Sequence, residues 1–463
     1  MAQNREPGTA VHSAGKDEGI VPHEDAPESP GQRRLVGESG GRIADICGRR
    51  VIFQLGVACI SLSCLVAPFS PEEVSFDVLR ALQGVGGAAA TPSPVGIIFG
   101  VFPSGKAQIY AMSAYSAGFP LGNVTGNVLG GVIAQYLSWR WIFWIMAIAS
   151  ATACAISLFT VPPLPKDIQI KQTPFRERIR LLNSQMDWLG LVMSMTVLMF
   201  LLVSLTDGNV VGWASPRVLT FLILSVVTFP MYIAWEMYLE KRAKRPPLMK
   251  MCVFSKSGTY CAAQAISFLF WASFNNFPVF ATYFYQDYHG LNTIQTTLRF
   301  LPSGITGVIA VLITSQILNY IDGNAISLWG TGCIAVACLL FAVPIPPDTI
   351  YWAYGFPAMV IITLGADTLF PCLSIFIMRS VFAEDQAIGA AIFQTVGQVG
   401  RSVGLAIATA IQIAVTDSGG GGGKEDLLRG YRAADYFSFG IGVVSFLVAA
   451  VSFKGAGKLG REN

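Results

Sequence analysis

The side chains with chemical potential in this chain lie where apolar residues dominate. Asp367 sits near the middle of the apolar run 351–378. Arg80 falls inside the run 76–101, and Gln394, Gln398 and Arg401 inside 387–415. Asn275 and Asn276 lie among Trp271, Phe274, Phe277, Tyr283 and Phe284. In a medium without water an acid needs a partner or a proton, so Asp367 is a candidate proton carrier. A buried Arg costs about 2.5–3.5 kcal/mol even on lenient scales, which marks Arg80 as a functional candidate. Each has a plainer alternative. Asp367 can be hydrogen-bonded for packing. Arg80 lies about a turn from a span end and can snorkel to the interface. The aromatic rings can face lipid.

The elements that must position these groups are apolar helices. The chain has 463 residues, 53% of them hydrophobic and only 13% charged, about half the charged share of a soluble domain. Its mean hydropathy is +0.54. The apolar residues fall in blocks of about 20, the length that crosses a hydrocarbon core as helix. Such blocks must satisfy their own backbone hydrogen bonds, and they lack the alternation of a barrel strand. The expected fold is an all-α integral membrane protein with about 12 spans. They run 51–70, 76–101, 109–134, 139–161, 187–206, 217–238, 258–285, 298–318, 327–344, 351–378, 387–415 and 436–453. Residues 1–40 are polar and read as a disordered tail.

Charge orients the spans. With the N-terminus in the cytoplasm, cytoplasmic segments hold Arg33, Arg34, Arg42, Arg49, Arg50, Lys106, Lys166, Lys171, Arg176, Arg178 and Arg180. They also hold the basic run from Lys241 to Lys256, Arg379, and the basics after Lys454. External loops hold only Arg140, Arg217, Lys424, Arg429 and Arg432, so both ends are expected inside. The net charge of +3 and the placement of the basics give no nucleic-acid surface. The nine cysteines lie mostly in apolar runs, with neither zinc nor disulfide-framework spacing. No cofactor or metal is implied.

Four stretches carry motifs. Gly41-Arg42-Ile43-Ala44-Asp45-Ile46-Cys47-Gly48-Arg49-Arg50 is a tight loop mixing an acid with cations. Leu79-Arg80-Ala81-Leu82-Gln83-Gly84-Val85-Gly86-Gly87 puts a charge among small residues. Gly118, Gly122, Gly126 and Gly130 recur every four residues beside Asn123, Asn127 and Gly131, a stripe suited to close helix packing. Trp139-Arg140-Trp141-Ile142-Phe143 suits an interface anchor.

Together these resemble the major facilitator superfamily of transporters. The first resembles its signature loop, and the resemblance implies a cytoplasmic gate in which Asp45, Arg49 and Arg50 form a charge relay, with Gly41 and Gly48 as turns. The second resembles the fourth-helix motif, whose Arg is linked to proton transfer. Gly126-Asn127-Val128-Leu129-Gly130-Gly131 resembles the exporters' fifth-helix G-P-x-x-G-G motif, with Asn127 in place of Pro. The last resembles the start of the sixth helix. Asp187-Trp188-Leu189-Gly190, Thr296 to Pro302 and Gly365-Ala366-Asp367 resemble the fourteen-helix drug:proton antiporter branch, near its fungal aminotriazole-resistance type. The likeness covers about residues 41–453.

The resemblance implies an incomplete N-terminal bundle over 41–161, linker loops with an extra helix pair over 162–256, a six-helix C-terminal bundle over 257–453 and a tail over 454–463. Family members carry two helices before the Gly41 loop, and the polar residues preceding it here are unable to span. The expectation is that two further hydrophobic segments are encoded upstream. The function implied is proton-coupled export of a small organic molecule by alternating access, in a monomer of the plasma membrane. Partners are a small-molecule substrate, protons and the lipid bilayer. The substrate path is expected at Asn123, Trp271, Asn275, Asn276, Gln394 and Gln398, with Arg80 and Asp367 in proton coupling. A non-transporting truncated product, and an importer of the same fold, are the alternatives. A membrane enzyme is disfavoured, because none of the three His (12, 23 and 289) lies in an expected span.

Overall fold

The computed structural model describes residues 48–91, 93–102, 106–162, 176–177, 180, 187–242, 258–317, 321–343, 346, 349–380, 386–419 and 423–453. Gly41 and Asp45 of the expected gating loop lie outside these residues, as does most of the 162–186 loop. The regular elements described are all helical. In chain order they are α1 Arg49–Val66, α2 Glu73–Ala90, α3 Ser93–Val101, α4 Lys106–Tyr136, α5 Arg140–Thr160, α6 Trp188–Val211 and α7 Pro216–Arg242. There follow α8 Gly258–Tyr283, α9 Thr293–Ile317, α10 Gly323–Ala342, α11 Tyr351–Ser380, α12 Gln386–Ser418 and α13 Lys424–Ser452. Short 3-10 and π turns, Ala67–Phe69 and Phe284–Tyr288, extend α1 and α8.

Among the described residues, nine helices are long and apolar enough to cross a membrane. Of the longer helices outside that group, α2 carries Glu73, Asp77 and Arg80, α4 carries Asn123 and Asn127 in a glycine-rich run, and α8 carries Gln264, Asn275 and Asn276. Large apolar side chains such as Leu62, Phe159, Val210 and Val451 stand exposed, as lipid-facing residues do.

Two boundaries differ from the sequence reading. The expected span 76–101 is two helices, α2 and α3, separated around Thr91-Pro92. Thr91 itself keeps helical dihedral angles (φ −69°, ψ −46°), and a proline at position 92 offers no N–H to the preceding turn. The last helix begins at Lys424 rather than near 436. Its opening is too polar for a hydropathy signal, yet Glu425 and Asp426 in the first turn favour the positive end of the helix dipole.

The C-terminal helices form one core. There α10 packs on α11 and α13, α8 on α12 and α13, and α9 on α11. Buried Tyr260, Phe270, Phe277, Leu369 and Leu373 lie at its centre. The N-terminal helices are more open. In that half α1 packs on α2 and α5, held by Arg50 donating to the Leu158 carbonyl at 2.5 Å and Ser61 to that of Ala147 at 3.0 Å. The main partner of α4 is α9, across the divide. The α6–α7 pair leans on α12, where Asn209 Nδ2 donates to the Ala406 carbonyl at 3.0 Å.

Glycines set the close crossings. A Cβ on Gly56 would lie 2.8 Å from the Gly86 carbonyl, and one on Gly86 would lie 2.7 Å from that of Gly56. Gly330 and Gly365 make the same reciprocal contact between α10 and α11. Gly131 is pressed against Thr297 and Gly304 against Val124, which seats α4 on α9. By contrast, a Cβ on Gly118, Gly122, Gly126 or Gly130 would meet no atom within 4 Å among the described residues.

Candidate functional site

Where α4 faces the C-terminal core, the helices leave a cavity of about 550 Å³. Its walls come from five of them. Helix α4 gives Phe119, Pro120, Asn123 and Asn127, and α8 gives Trp271, Phe274, Asn275 and Thr282. Helix α9 adds Phe300, Ser303 and Gly304. The remaining wall is Met359, Ile362, Thr363 and Asp367 of α11 with Arg401 of α12. Among the described residues, Asp367 and Arg401 are the only ionisable side chains in this lining.

The positions of both charges follow from missing side chains. On α12, Gly397, Gly400 and Gly404 face α8. Added Cβ atoms would lie 2.6 Å from Cδ1 of the Trp271 indole, 2.5 Å from the Phe268 carbonyl and 2.6 Å from the Ala272 Cα. With no Cβ there, α12 lies flat on α8 and Arg401 reaches over Trp271. Its guanidinium carbon stands 3.6 Å from the indole centroid, a tight cation–π contact. On α9, a Cβ at Gly307 would sit 2.7 Å from Asp367 Oδ2 and 3.0 Å from Pro120 Cβ. The glycine leaves the carboxylate its room.

Among the described residues, the buried Asp367 Oδ2 and Arg401 Nε have no hydrogen-bond partner, and no ion pair joins the two side chains within 4.0 Å. Elsewhere in the lining, Asn127 Nδ2 donates to Asn123 Oδ1 at 3.1 Å. Trp271 is boxed edge-on by Phe119 at 6.4 Å and Phe274 at 5.7 Å. The site can therefore hold an aromatic body while offering one cation and one acid.

The structure gathers Asp367, Asn123, Asn127, Trp271, Asn275, Gly118 and Gly122 around this cavity. Other candidates lie elsewhere. Arg80 is exposed on α2, bonds to Gln83, and stands 5.8 Å over the Phe143 ring of α5. Gln394 and Gln398 are exposed on α12, outside the lining. Asn276 points into the C-terminal core, donating to Ser438 Oγ at 3.1 Å. Gly126 and Gly130 border open space, and Gly131 packs on α9. Gly48 opens α1 with φ of 97°, beside Arg49 and Arg50. The sequence reading passed over Phe119, Phe300, Thr363, Gly307 and Gly397. Their signal was available only in part, as small residues recurring on helices that also carry polar ones.

The sequence pattern of the Major Facilitator Superfamily matches residues 39–263 and 189–405. The chain belongs to this family. A low affinity ammonium transporter of Saccharomyces cerevisiae is 30% identical over 89% of this chain and 76% of its own length. The efflux pump terJ of Aspergillus terreus is 28% identical over 87% of this chain and 74% of its own. A crystal structure of the peptide transporter POT superposes with a TM-score of 0.59 at 14% identity, covering 91% of this chain and 83% of that one, a likeness of fold. The protein is thus a multi-pass membrane transporter rather than an enzyme. Within the major facilitator fold, the cavity sits where α4 of the N-terminal helices meets the C-terminal bundle.

Proposed function

We propose that this transporter exports a small organic molecule in exchange for protons, by alternating access at the Asp367–Arg401 cavity. The observation that carries this reading is Asp367 in the wall of that cavity, its buried Oδ2 without a hydrogen-bond partner among the described residues. An acid without a partner at mid-membrane is most cheaply carried neutral, so it takes a proton when the cavity is otherwise empty. It can release that proton when the cavity opens to the other side or fills. The rocking element is the α4–α9 contact, where Gly131 and Gly304 let the two helices slide closely. Arg80 stands apart from the cavity, so any part it plays in coupling acts through the movement of α2 against α5. Asp45, Arg49 and Arg50 belong to the cytoplasmic gate in this reading, with both termini inside and the protein a monomer in the plasma membrane. The efflux-pump relatives support export of an organic molecule.

The test is flux in proteoliposomes with an imposed pH gradient. Asp367→Asn should uncouple transport from the gradient while the purified protein keeps its melting temperature within a few degrees. Transport by Asp367→Asn with unchanged pH dependence would place the proton site elsewhere.

A further inference from the structure

The cavity wall holds an acid and a cation that form no ion pair with each other among the described residues. That arrangement costs free energy, since a buried polar atom of each forgoes a partner. Asp367 and Arg401 are held apart by their supports. Arg401 is laid on Trp271 at 3.6 Å, and Asp367 is seated against Gly307. Among the described residues, no other ionisable side chain lines the cavity from α4, α8 or α9. The missing partners are therefore expected from the ligand.

Resting on the exchange reading above, we propose that the substrate is an amphoteric aromatic molecule, with an acidic oxygen for Arg401 and an ammonium for Asp367. Guanidinium presents a planar fork of donors that matches a carboxylate or enolate, and its stacking on Trp271 leaves the fork's edge for the ligand. Phe119, Phe274 and Phe300 supply faces and edges for a ring between the two charges. A cavity of about 550 Å³ suits a ligand of small-drug size. The assignment also explains exchange rather than co-transport. When the ligand's donor arrives, the Asp367 O–H bond breaks, its proton passes to water in the open cavity, and the carboxylate accepts the donor. Proton and substrate then compete for one group. A purely anionic ligand would leave Asp367 protonated and travel with the proton instead.

The test uses the purified full chain in detergent. Tryptophan and kynurenine are each compared with their methyl ester and N-acetyl derivative by equilibrium binding. At least one parent compound should bind, and both derivatives of it should bind about 10-fold or more weakly, since each loses the charge at one of its two polar ends. Arg401→Gln should erase the preference for acid over ester. Arg401→Lys should restore only part of it. Asp367→Asn should erase the preference for free amine over N-acetyl. Melting temperatures without ligand check that the variants fold. Esters that bind as well as acids, or no binding by any parent compound, overturn the proposal. Failure of the exchange reading looks different: a substrate flux that ignores the pH gradient.

Discussion

Gly365 offers a test in which the supporting packing, and not the charged groups, is perturbed. It lies two residues before Asp367, where α11 crosses α10. A Cβ at this position would stand 2.7 Å from the Gly330 carbonyl oxygen and 2.8 Å from Cys333 Cβ. Ordinary carbon–oxygen contacts begin near ~3.3 Å and carbon–carbon contacts near ~3.5 Å. Gly365→Ala therefore lacks about 0.6–0.7 Å of room, and the obstacle on one side is backbone, which cannot rotate away. Overpacking of this kind costs roughly 1–3 kcal/mol. Replacing a helical glycine returns about 0.5–1 kcal/mol of backbone entropy. The net expectation is a loss of up to about 2.5 kcal/mol, with α11 pushed from α10 toward the cavity and Asp367 carried along. Gly126→Ala is the matched control. It has the same chemistry on α4, but no atom lies within 4 Å of its Cβ site among the described residues. That variant should gain about 0.5–1 kcal/mol. Intrinsic tryptophan fluorescence during thermal unfolding in detergent reads both signs. Gly365→Ala melting at or above wild type would refute the reasoning about the α10–α11 crossing. Gly126→Ala melting well below wild type would refute the open face.

Two further outcomes follow from buried or stacked charges. Asp435 on α13 is buried in the C-terminal bundle with Oδ1 unpartnered and no ion pair among the described residues. Asp435→Asn should therefore leave thermal stability equal or raise it by ~1 kcal/mol, and a marked loss would reveal a partner for the carboxylate. If Arg80 takes part in coupling, Arg80→Ala should abolish proton-driven export while protein still reaches the membrane, with Arg80→Lys restoring it only in part. Full activity in both variants would leave Arg80 as an anchor on the Phe143 ring.

Helices and their rough limits were readable because lipid imposes a length and a polarity on each span. Where a helix outlasts that constraint, as in the Lys424–Tyr436 opening of α13, hydropathy loses it. The cavity was readable only through its polar members. Asp367, Asn123, Asn127 and Asn275 stood out because polar groups in spans are costly. The residues that place them are silent by the same criterion. Gly307, Gly397, Gly400 and Gly404 act by leaving space, and a glycine gives the same signal whether it meets a neighbouring helix or, like Gly126, meets nothing.

Adjacent and in-register residues show where the limit lies. Asn275 and Asn276 are chain neighbours of identical chemistry, about 100° apart around α8. One lines the cavity and the other bonds to Ser438 and the Gly404 carbonyl inside the bundle. No local pattern separates them, because the choice depends on how α8 is rotated against α12 and α13. That rotation is fixed by Gly400 and Gly404 against Phe268 and Ala272. Gln394, Gln398 and Arg401 pose the converse case. Their spacing of four and three puts them on one stripe of α12. The stripe is a sound inference, yet only Arg401 is enclosed, since α4 and the Trp271 ring close the wall at its level and leave the two glutamines exposed. Periodicity thus identifies a face of a helix. Which part of that face becomes a site is decided by the neighbouring helices, and here by the glycines that admit them.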